Sequence, residues 1–256
     1  MSHLLKQYDV HLRTAAEMQG ALATERRGPL WIARFEGGHL FVTYSELDDP
    51  GAAVSVVSAL VADDAAILTA EWRPRSRDHA PRLEDALTRA GFVAGDSESV
   101  MIGEASKLIN AEPPEGVVVR LLTEPEEMRA ALDMQDAVVG GDPSAEPMLT
   151  EILARQSRGE PVELWAAEAD GRVVSAGRID PVAGTDFAGI WGGATLPEYR
   201  GRGIYRALTA ARVRSAMARG ARWIHSDSTE SSRPILERSG LVKVTETVPW
   251  TWERRA

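Results

Sequence analysis

The 256-residue sequence contains no cysteine. A disulfide frame, a thiol nucleophile and a cysteine-ligated metal are therefore excluded. Histidine is scarce, and His3, His11, His39, His79 and His225 show no metal-ligand spacing, so no metal site is expected. No apolar run approaches the roughly 18 residues needed to cross a bilayer. The longest candidate, Gly51 to Ala62, ends at Asp63 and Asp64, and Asp9 precedes any apolar signal core. A soluble, cytoplasmic protein is expected. What is present is globular: 44% hydrophobic and 26% charged residues.

The net charge of −9 argues against nucleic acid or an anionic membrane as a partner. Yet Tyr199 to Ser226 contains no carboxylate, while Arg200, Arg202, Arg206, Arg212, Arg214, Arg219 and Arg222 all fall there. The last four are expected on a solvated helix face, and the first three at an anion site.

Residues 110–116, with adjacent prolines Pro113 and Pro114, read as a linker. It divides the chain into 1–111 and 117–256. The two halves end alike. Leu87, Arg89, Gly91, Phe92 and Val93 match Leu236, Arg238, Gly240, Leu241 and Val242, and Ser97–Val100 matches Thr245–Val248. Each end is an amphipathic helix, a glycine able to take positive φ, and an alternating strand.

In the second half, Val117–Leu122 reads as a strand. Helices follow at Glu126–Val139 and Met148–Ser157, then strands at Val162–Glu168, Arg172–Ile179 and Phe187–Leu196, with Asp170-Gly171 as a hairpin turn. A helix from Gly203 to Arg219, a strand Arg222–Asp227, a helix Ser231–Ser239 and a strand Val242–Thr251 complete a mixed α/β sheet. The first half has a helix at Val10–Ala23, a hairpin through Gly37-Gly38, a weak helix at Val54–Ala62 and a strand at Ala66–Trp72. It has no arginine-glycine loop.

That loop, in Trp191-Gly-Gly-Ala-Thr-Leu-Pro-Glu-Tyr-Arg-Gly-Arg-Gly-Ile-Tyr-Arg-Ala-Leu208, carries the chemistry. A helix N-terminus offers unsatisfied N–H groups and a positive dipole end, and glycines let an anion approach them. A pyrophosphate suits this arrangement. The spacing alone leaves open an ordinary strand-turn-helix with solvated arginines.

Leu196-Pro-Glu198 followed by Tyr199-Arg-Gly-Arg-Gly-Ile-Tyr-Arg-Ala-Leu208 resembles motif A of the GCN5-related N-acetyltransferases. Arg200 matches the first position of Arg/Gln-x-x-Gly-x-Gly/Ala and Gly203 the central glycine; Tyr205 replaces the final small residue. The resemblance covers the second half and implies an α/β fold of two such halves in tandem, the first degenerate. It implies acyl transfer from acetyl-CoA, a co-substrate, to a small-molecule or peptide amine, by a monomer or homodimer. Backbone groups of Ala194, Thr195 and Leu196 would pair with the pantetheine arm and acetyl carbonyl. The N–H groups of Arg202, Gly203, Ile204, Tyr205 and Arg206, with Arg200, would hold the pyrophosphate. Gly192-Gly193 would form a bulge, with a buried loose strand as the alternative.

Many family members place a tyrosine acid four residues before the glycine after the penultimate helix. Here that position is Leu236. Tyr205 is the nearest alternative, though it reads as a wall of the coenzyme pocket. Asp227 is the first choice of base and Glu168 the second; Asp227 also suits a helix cap. Trp191, Trp223, Trp250 and Trp252 read as core or pocket walls. A non-catalytic acyl-CoA binding or sensing module is the alternative function.

Overall fold

The computed structural model describes residues 3–140 and 144–255. The chain divides into two compact units. One comprises Met1–Val100, Asp227–Arg233 and Lys243–Ala256, the other Met101–Ser226 and Pro234–Val242.

The first unit begins with helix α1 (His3–His11), strands β1 (Ala23–Arg27), β2 (Leu30–Phe35) and β3 (His39–Tyr44), helix α2 (Pro50–Asp63) and strand β4 (Thr69–Trp72). The helix expected at Val10–Ala23 is displaced. Helix α1 stops at His11, a 3₁₀ turn spans Thr14–Met18, and Ala23 opens β1. Leu12 and Met18 are buried, so the apolar rhythm runs on past the end of α1, and Gly20 takes a positive φ only after the 3₁₀ turn has closed. The Gly37-Gly38 hairpin forms as expected, joining β2 to β3. Helix α2 starts where the Asp49 carboxylate accepts from the Ala52 N–H at 3.0 Å, with Pro50 in its first turn. It buries Ala53, Val54, Val57, Leu60 and Val61, one helical face, and carries the chain back so that β4 runs parallel to β3. Helix α3 (Leu83–Arg89) and strand β5 (Val93–Ala94) follow.

The second sheet is built from β6 (Glu98–Glu104), β7 (Val117–Leu121), β8 (Glu163–Ala169), β9 (Arg172–Pro181), β10 (Phe187–Thr195), β11 (Trp223–Ser228) and β12 (Val242–Thr247). Helices α4 (Pro125–Val139) and α5 (Ala145–Ser157) lie between β7 and β8 in sequence, α6 (Ile204–Ala218) between β10 and β11, and α7 (Arg233–Arg238) before β12. Strand β13 (Trp250–Glu253) ends the series. Helix α5 begins three residues earlier than expected, because the Asp136 carboxylate accepts from the Ser144 hydroxyl and the Ser144 and Ala145 N–H groups. The Asp136 pKa is held below the usual carboxylate value, chiefly by the Ser144 hydroxyl. At the β8–β9 turn, Asp170 and Gly171 both have positive φ, as a two-residue hairpin of this kind requires.

Sheet order is β1-β2-β3-β4-β13-β5 in one sheet and β12-β6-β11-β10-β9-β8-β7 in the other. The chain segments therefore trade places. Strand β13, near the C-terminus, pairs with β4 and β5, while β6, which precedes the 110–116 linker, lies between β11 and β12. The single strand expected over Val242–Thr251 is thus two strands in different sheets, separated before Trp250 at Pro249, which has no N–H to continue a ladder. The repeated ends are real in shape: Gly91 and Gly240 both take positive φ after their helices, at 85° and 101°.

Leu30, Ile32, Val42, Val57, Trp72 and Leu87 centre the core of the first unit. In the second, Met128, Ile152, Leu164 and Ala176 form one cluster, and Ile179, Ile190, Val213, Ile224 and Leu236 another.

Candidate functional site

Strands β10 and β11 run parallel but pair only from Phe187–Trp223 to Gly189–His225. Beyond Gly189 they part, and β10 continues to Thr195 with β9 alone. An interrupted parallel pair leaves backbone groups of β10 facing open space. Two are already engaged: Ser226 Oγ donates to the Ile190 carbonyl at 2.9 Å, and Arg200 Nε donates to the Thr195 carbonyl at 3.0 Å.

Which groups face the opening follows from strand parity. The Phe187 carbonyl accepts from Val182 at the β9 side, and the Leu196 N–H donates to Val174 of β9. These residues lie nine positions apart, and successive residues of a regular strand present their backbone groups to opposite sides. An odd spacing would point them apart. One bulge restores the phase, and it occurs between Trp191 and Ala194, where Gly192 has φ 59°. Of the trio Ala194, Thr195 and Leu196, the middle member therefore faces the opening. The Ala194 carbonyl accepts from Ser175 Oγ at 2.7 Å, and the Leu196 N–H is held by β9.

The loop after β10 contains a 3₁₀ turn, Pro197–Tyr199, then Gly201 and Gly203 at φ 74° and 81°. Gly203 is the N-cap of α6 and no side chain caps the helix; no acid occupies its first turn. The first helical bond runs from the Ala207 N–H to the Gly203 carbonyl, which leaves the N–H groups of Ile204, Tyr205 and Arg206 without helical acceptors. Nothing lies within 4 Å of a Cβ placed on Gly203. Arg202 and Arg206 are exposed. Arg202 lies over the Tyr199 ring, 4.9 Å from its centroid, and the Tyr199 hydroxyl donates to Asp170 at 2.7 Å. Arg200, by contrast, braces the strand. An anion at this N-terminus would meet free N–H groups, a helix dipole and two exposed cations.

Tyr205, the departure from the small residue of the motif, has a structural complement. A Cβ on Gly193 would lie 2.7 Å from both Cε2 and the hydroxyl of Tyr205. The ring thus rests on bare glycine backbone at the bulge. Beneath it lies the guanidinium of Arg212, 5.8 Å from the ring centroid. Arg212 is expected to be solvated, but is fully buried instead. Its guanidinium donates to the Arg178 carbonyl at 3.1 Å and to Thr209 Oγ1 at 3.1 Å, in space left open by Gly177. Burial pulls its pKa down. Arg214 and Arg219 are not purely solvated either: Arg214 donates to the Ile109 carbonyl at 2.6 Å, and Arg219 pairs with Glu163 at 2.8 Å.

The two carboxylates proposed from sequence lie in different settings. Glu168 is on β8, separated from β10 by β9. Its Oε1 accepts from Arg120 Nη2 at 2.7 Å, and the same arginine pairs with Glu127. Asp227 belongs to the first unit. Its Oδ2 is 3.1 Å from Arg73 Nη1, which also pairs with Glu98 at 3.0 Å and with Glu71 through Nε. Three carboxylates thus surround one guanidinium. Burial raises the Glu98 pKa, with Asp227 and Glu71 adding to the shift against the opposing pull of Arg73. Leu236 is buried in the core. Trp191 packs edge-on to His225, with centroids 5.2 Å apart, while Trp223 and Trp250 are buried.

In the first unit β3 and β4 pair in parallel from His39–Thr69 to Val42–Trp72. Past this point Arg13 Nη2 donates to the Tyr44 carbonyl at 2.7 Å. Arg13 is tied to Asp78 at 2.8 Å, and Arg75 to Glu17 and to the Tyr8 hydroxyl. Side chains fill the place that the second unit leaves open, above which a cavity of about 290 Å³ remains.

Gln135 was not legible as a site residue. It comes from α4 and its Nε2 donates to the Gly192 carbonyl, a contact spanning 57 residues with no local pattern. Among the described residues no group of three or more metal-ligating side chains exists, and no helix is long and apolar enough to cross a membrane.

Residues 126–240 match the model of the Acetyltransferase (GNAT) family. No curated protein matches the sequence. Among solved structures, a GCN5-related N-acetyltransferase from Kribbella flavida is 19% identical with TM-score 0.68, covering 95% of each chain. A functionally unknown conserved protein from Staphylococcus epidermidis is 15% identical with TM-score 0.71, over 97% of this chain and 98% of that one. A tandem GNAT protein from the clavulanic acid biosynthesis pathway is 15% identical with TM-score 0.63, over 97% of this chain and 94% of the other. At these identities the likeness concerns the fold, and it extends along nearly the whole chain.

Proposed function

We propose, from the match of residues 126–240 to the GNAT acetyltransferase family model, that the protein transfers an acetyl group from acetyl-CoA to an amine within a ternary complex. The observation that carries this reading is the junction of β10 and α6. An open strand edge leads into a helix N-terminus without a capping side chain or an acid in its first turn. The strand segment Ala194–Leu196 would line the pantetheine arm, with the Thr195 N–H as its hydrogen-bonding group. The N–H groups of Gly203 to Arg206, with Arg202, would hold the pyrophosphate; Arg200 would keep the strand end in place. The first half is a degenerate copy that binds no coenzyme, because Arg13 occupies the edge of β3 and no glycine-arginine loop follows.

The reaction needs a neutral amine, a donor for the carbonyl oxygen as it becomes an oxyanion, and an exit for the thiolate. The amine nitrogen attacks the thioester carbon, the C–S bond breaks, and the nitrogen's extra proton passes to a base. Asp227, through a water, is the proposed base and Glu168 the second candidate. The coenzyme thiolate leaves without a tyrosine acid, since Leu236 has no proton to give.

Calorimetric titration with acetyl-CoA tests the coenzyme site, and thiol release over a panel of small amines and peptide N-termini tests transfer. Absence of binding at near-millimolar acetyl-CoA overturns the reading. Leu236 and the Arg73–Asp227 pair favour one alternative, a non-catalytic acyl-CoA binding or sensing module, for which binding without thiol release is the signature.

A further inference from the structure

The bulge that sets the phase of β10 is held from outside the strand. The Gly192 carbonyl leaves the ladder and is taken by Gln135 Nε2 of α4. The same side chain lies 3.2 Å from where a Cβ on Gly192 would stand, so any larger residue there would crowd it. On the next residue, Tyr205 of α6 occupies the space of a Cβ on Gly193. Arg212 underlies that ring and is fully buried, anchored to Arg178 and Thr209. Its guanidinium lies 5.8 Å from the Tyr205 ring centroid, so a buried, anchored cation backs the ring that covers the glycine. Two helices thus grip two adjacent glycines.

We infer that Gln135 is a positioning residue: its hydrogen bond to the Gly192 carbonyl locks the bulge and thereby decides that Thr195, rather than Ala194 and Leu196, faces the open edge of β10. The physical basis is the period of two. Without the extra residue, Ala194 and Leu196 would turn their N–H groups from β9 toward the opening, and Thr195 would turn inward. Gly192 at φ 59° is a conformation with no ladder partner of its own, so an external donor is what holds it. The carboxamide is suited to this because it donates without bringing a charge to a carbonyl. Backbone geometry alone sets the phase of the strand; the consequence for coenzyme binding rests on the function proposed above.

Hydrogen exchange of the ligand-free protein, read at residue level, decides it. In the wild type the Ala194 and Leu196 amides are expected to be protected and the Thr195 amide to exchange freely. Gln135→Leu keeps the bulk and removes the donor; it is expected to speed exchange at Ala194 and Leu196 by about tenfold or more, with the unfolding midpoint unchanged. Gln135→Glu does the same at pH 7, and protection returns below about pH 4, when the protonated carboxyl can donate again. A merely space-filling role would show neither the loss in the first variant nor the pH-dependent return in the second. Unchanged protection in both variants overturns the inference. Titration with coenzyme A then reads the consequence: an approximately tenfold weaker Kd in Gln135→Leu, the worth of about one hydrogen bond. A wild-type protein that binds no coenzyme A would overturn the proposed function while the exchange data still decide the role of Gln135.

Discussion

Replacing Gly203 by valine separates coenzyme binding from folding, and both magnitudes can be worked out. Gly203 has φ 81°, where a β-branched L residue costs about 1–2 kcal/mol. Since nothing lies within 4 Å of its Cβ position, no protein clash adds to this. For a chain of this size the unfolding midpoint should drop by about 2–8 °C. The effect on binding is larger. The new methyl groups would stand in front of the Ile204, Tyr205 and Arg206 N–H groups, which have no acceptor inside the helix. Hydrogen bonds to a charged group are worth about 1.5–3 kcal/mol each. Losing two of them weakens binding by about 10²- to 10⁴-fold. Gly184→Val is the control, because Gly184 has φ 73° and equally open surroundings in the turn between β9 and β10, at the other end of β10 from the loop. Calorimetric titration with acetyl-CoA, with thermal denaturation of each variant, should find similar midpoint losses and a binding loss confined to Gly203→Val. If both variants bind acetyl-CoA equally well, the helix N-terminus is not the pyrophosphate site.

Other consequences follow from the same geometry. Asp227→Asn should lower turnover about a hundredfold with coenzyme affinity kept, while Arg73 retains Glu71 and Glu98 as partners; unchanged kcat with a confirmed acceptor would remove Asp227 from the chemistry. The Glu98 pKa is raised, first by burial, so its contribution to stability is present below the unfolded pKa and lost as pH rises through the folded one. Glu98→Gln should therefore gain stability over wild type as pH rises above the ordinary carboxylate range of about 4 in denaturant titrations, and a constant or shrinking difference would refute this. Gly177→Ala would drive a Cβ into the guanidinium of Arg212, which is fully buried. A loss of about 1–3 kcal/mol is expected, relieved by adding Arg212→Met; a neutral Gly177→Ala would show that Arg212 can move aside. A fragment of residues 1–111 lacks β13, which lies between β4 and β5, and should be unfolded by circular dichroism.

Much of this protein can be read without coordinates. The α6 loop, the Asp170-Gly171 turn and most elements of the second half are local events, while the bulge at Gly192-Gly193 is one that the family resemblance implies and the register of β10 bears out. Periodicity, glycine conformation and hairpin chemistry act within a few residues, and the sequence carries them openly. So it is for the repeated helix-glycine-strand ends. The first helix differs from its sequence pattern because Leu12 and Met18 continue an apolar rhythm across a break between His11 and Thr14 that no glycine or proline marks.

Tertiary structure decided what depends on partners distant in the chain. Sequence alone could not show that β6 and β13 join sheets away from their chain neighbours, because a strand's own pattern specifies which face is buried but not whose edge it pairs with. Nor could it show that Arg212 is buried under Tyr205 rather than solvated. An arginine on a helix reads the same in either case until Gly177 opens space for it. The charge cluster around Arg73 gathers Glu71, Glu98 and Asp227 across as many as 154 residues. Gln135 reaches Gly192 across 57. The phase of β10 can be suspected from two adjacent glycines, but which N–H faces the opening is determined only once β9, α4 and α6 close around them.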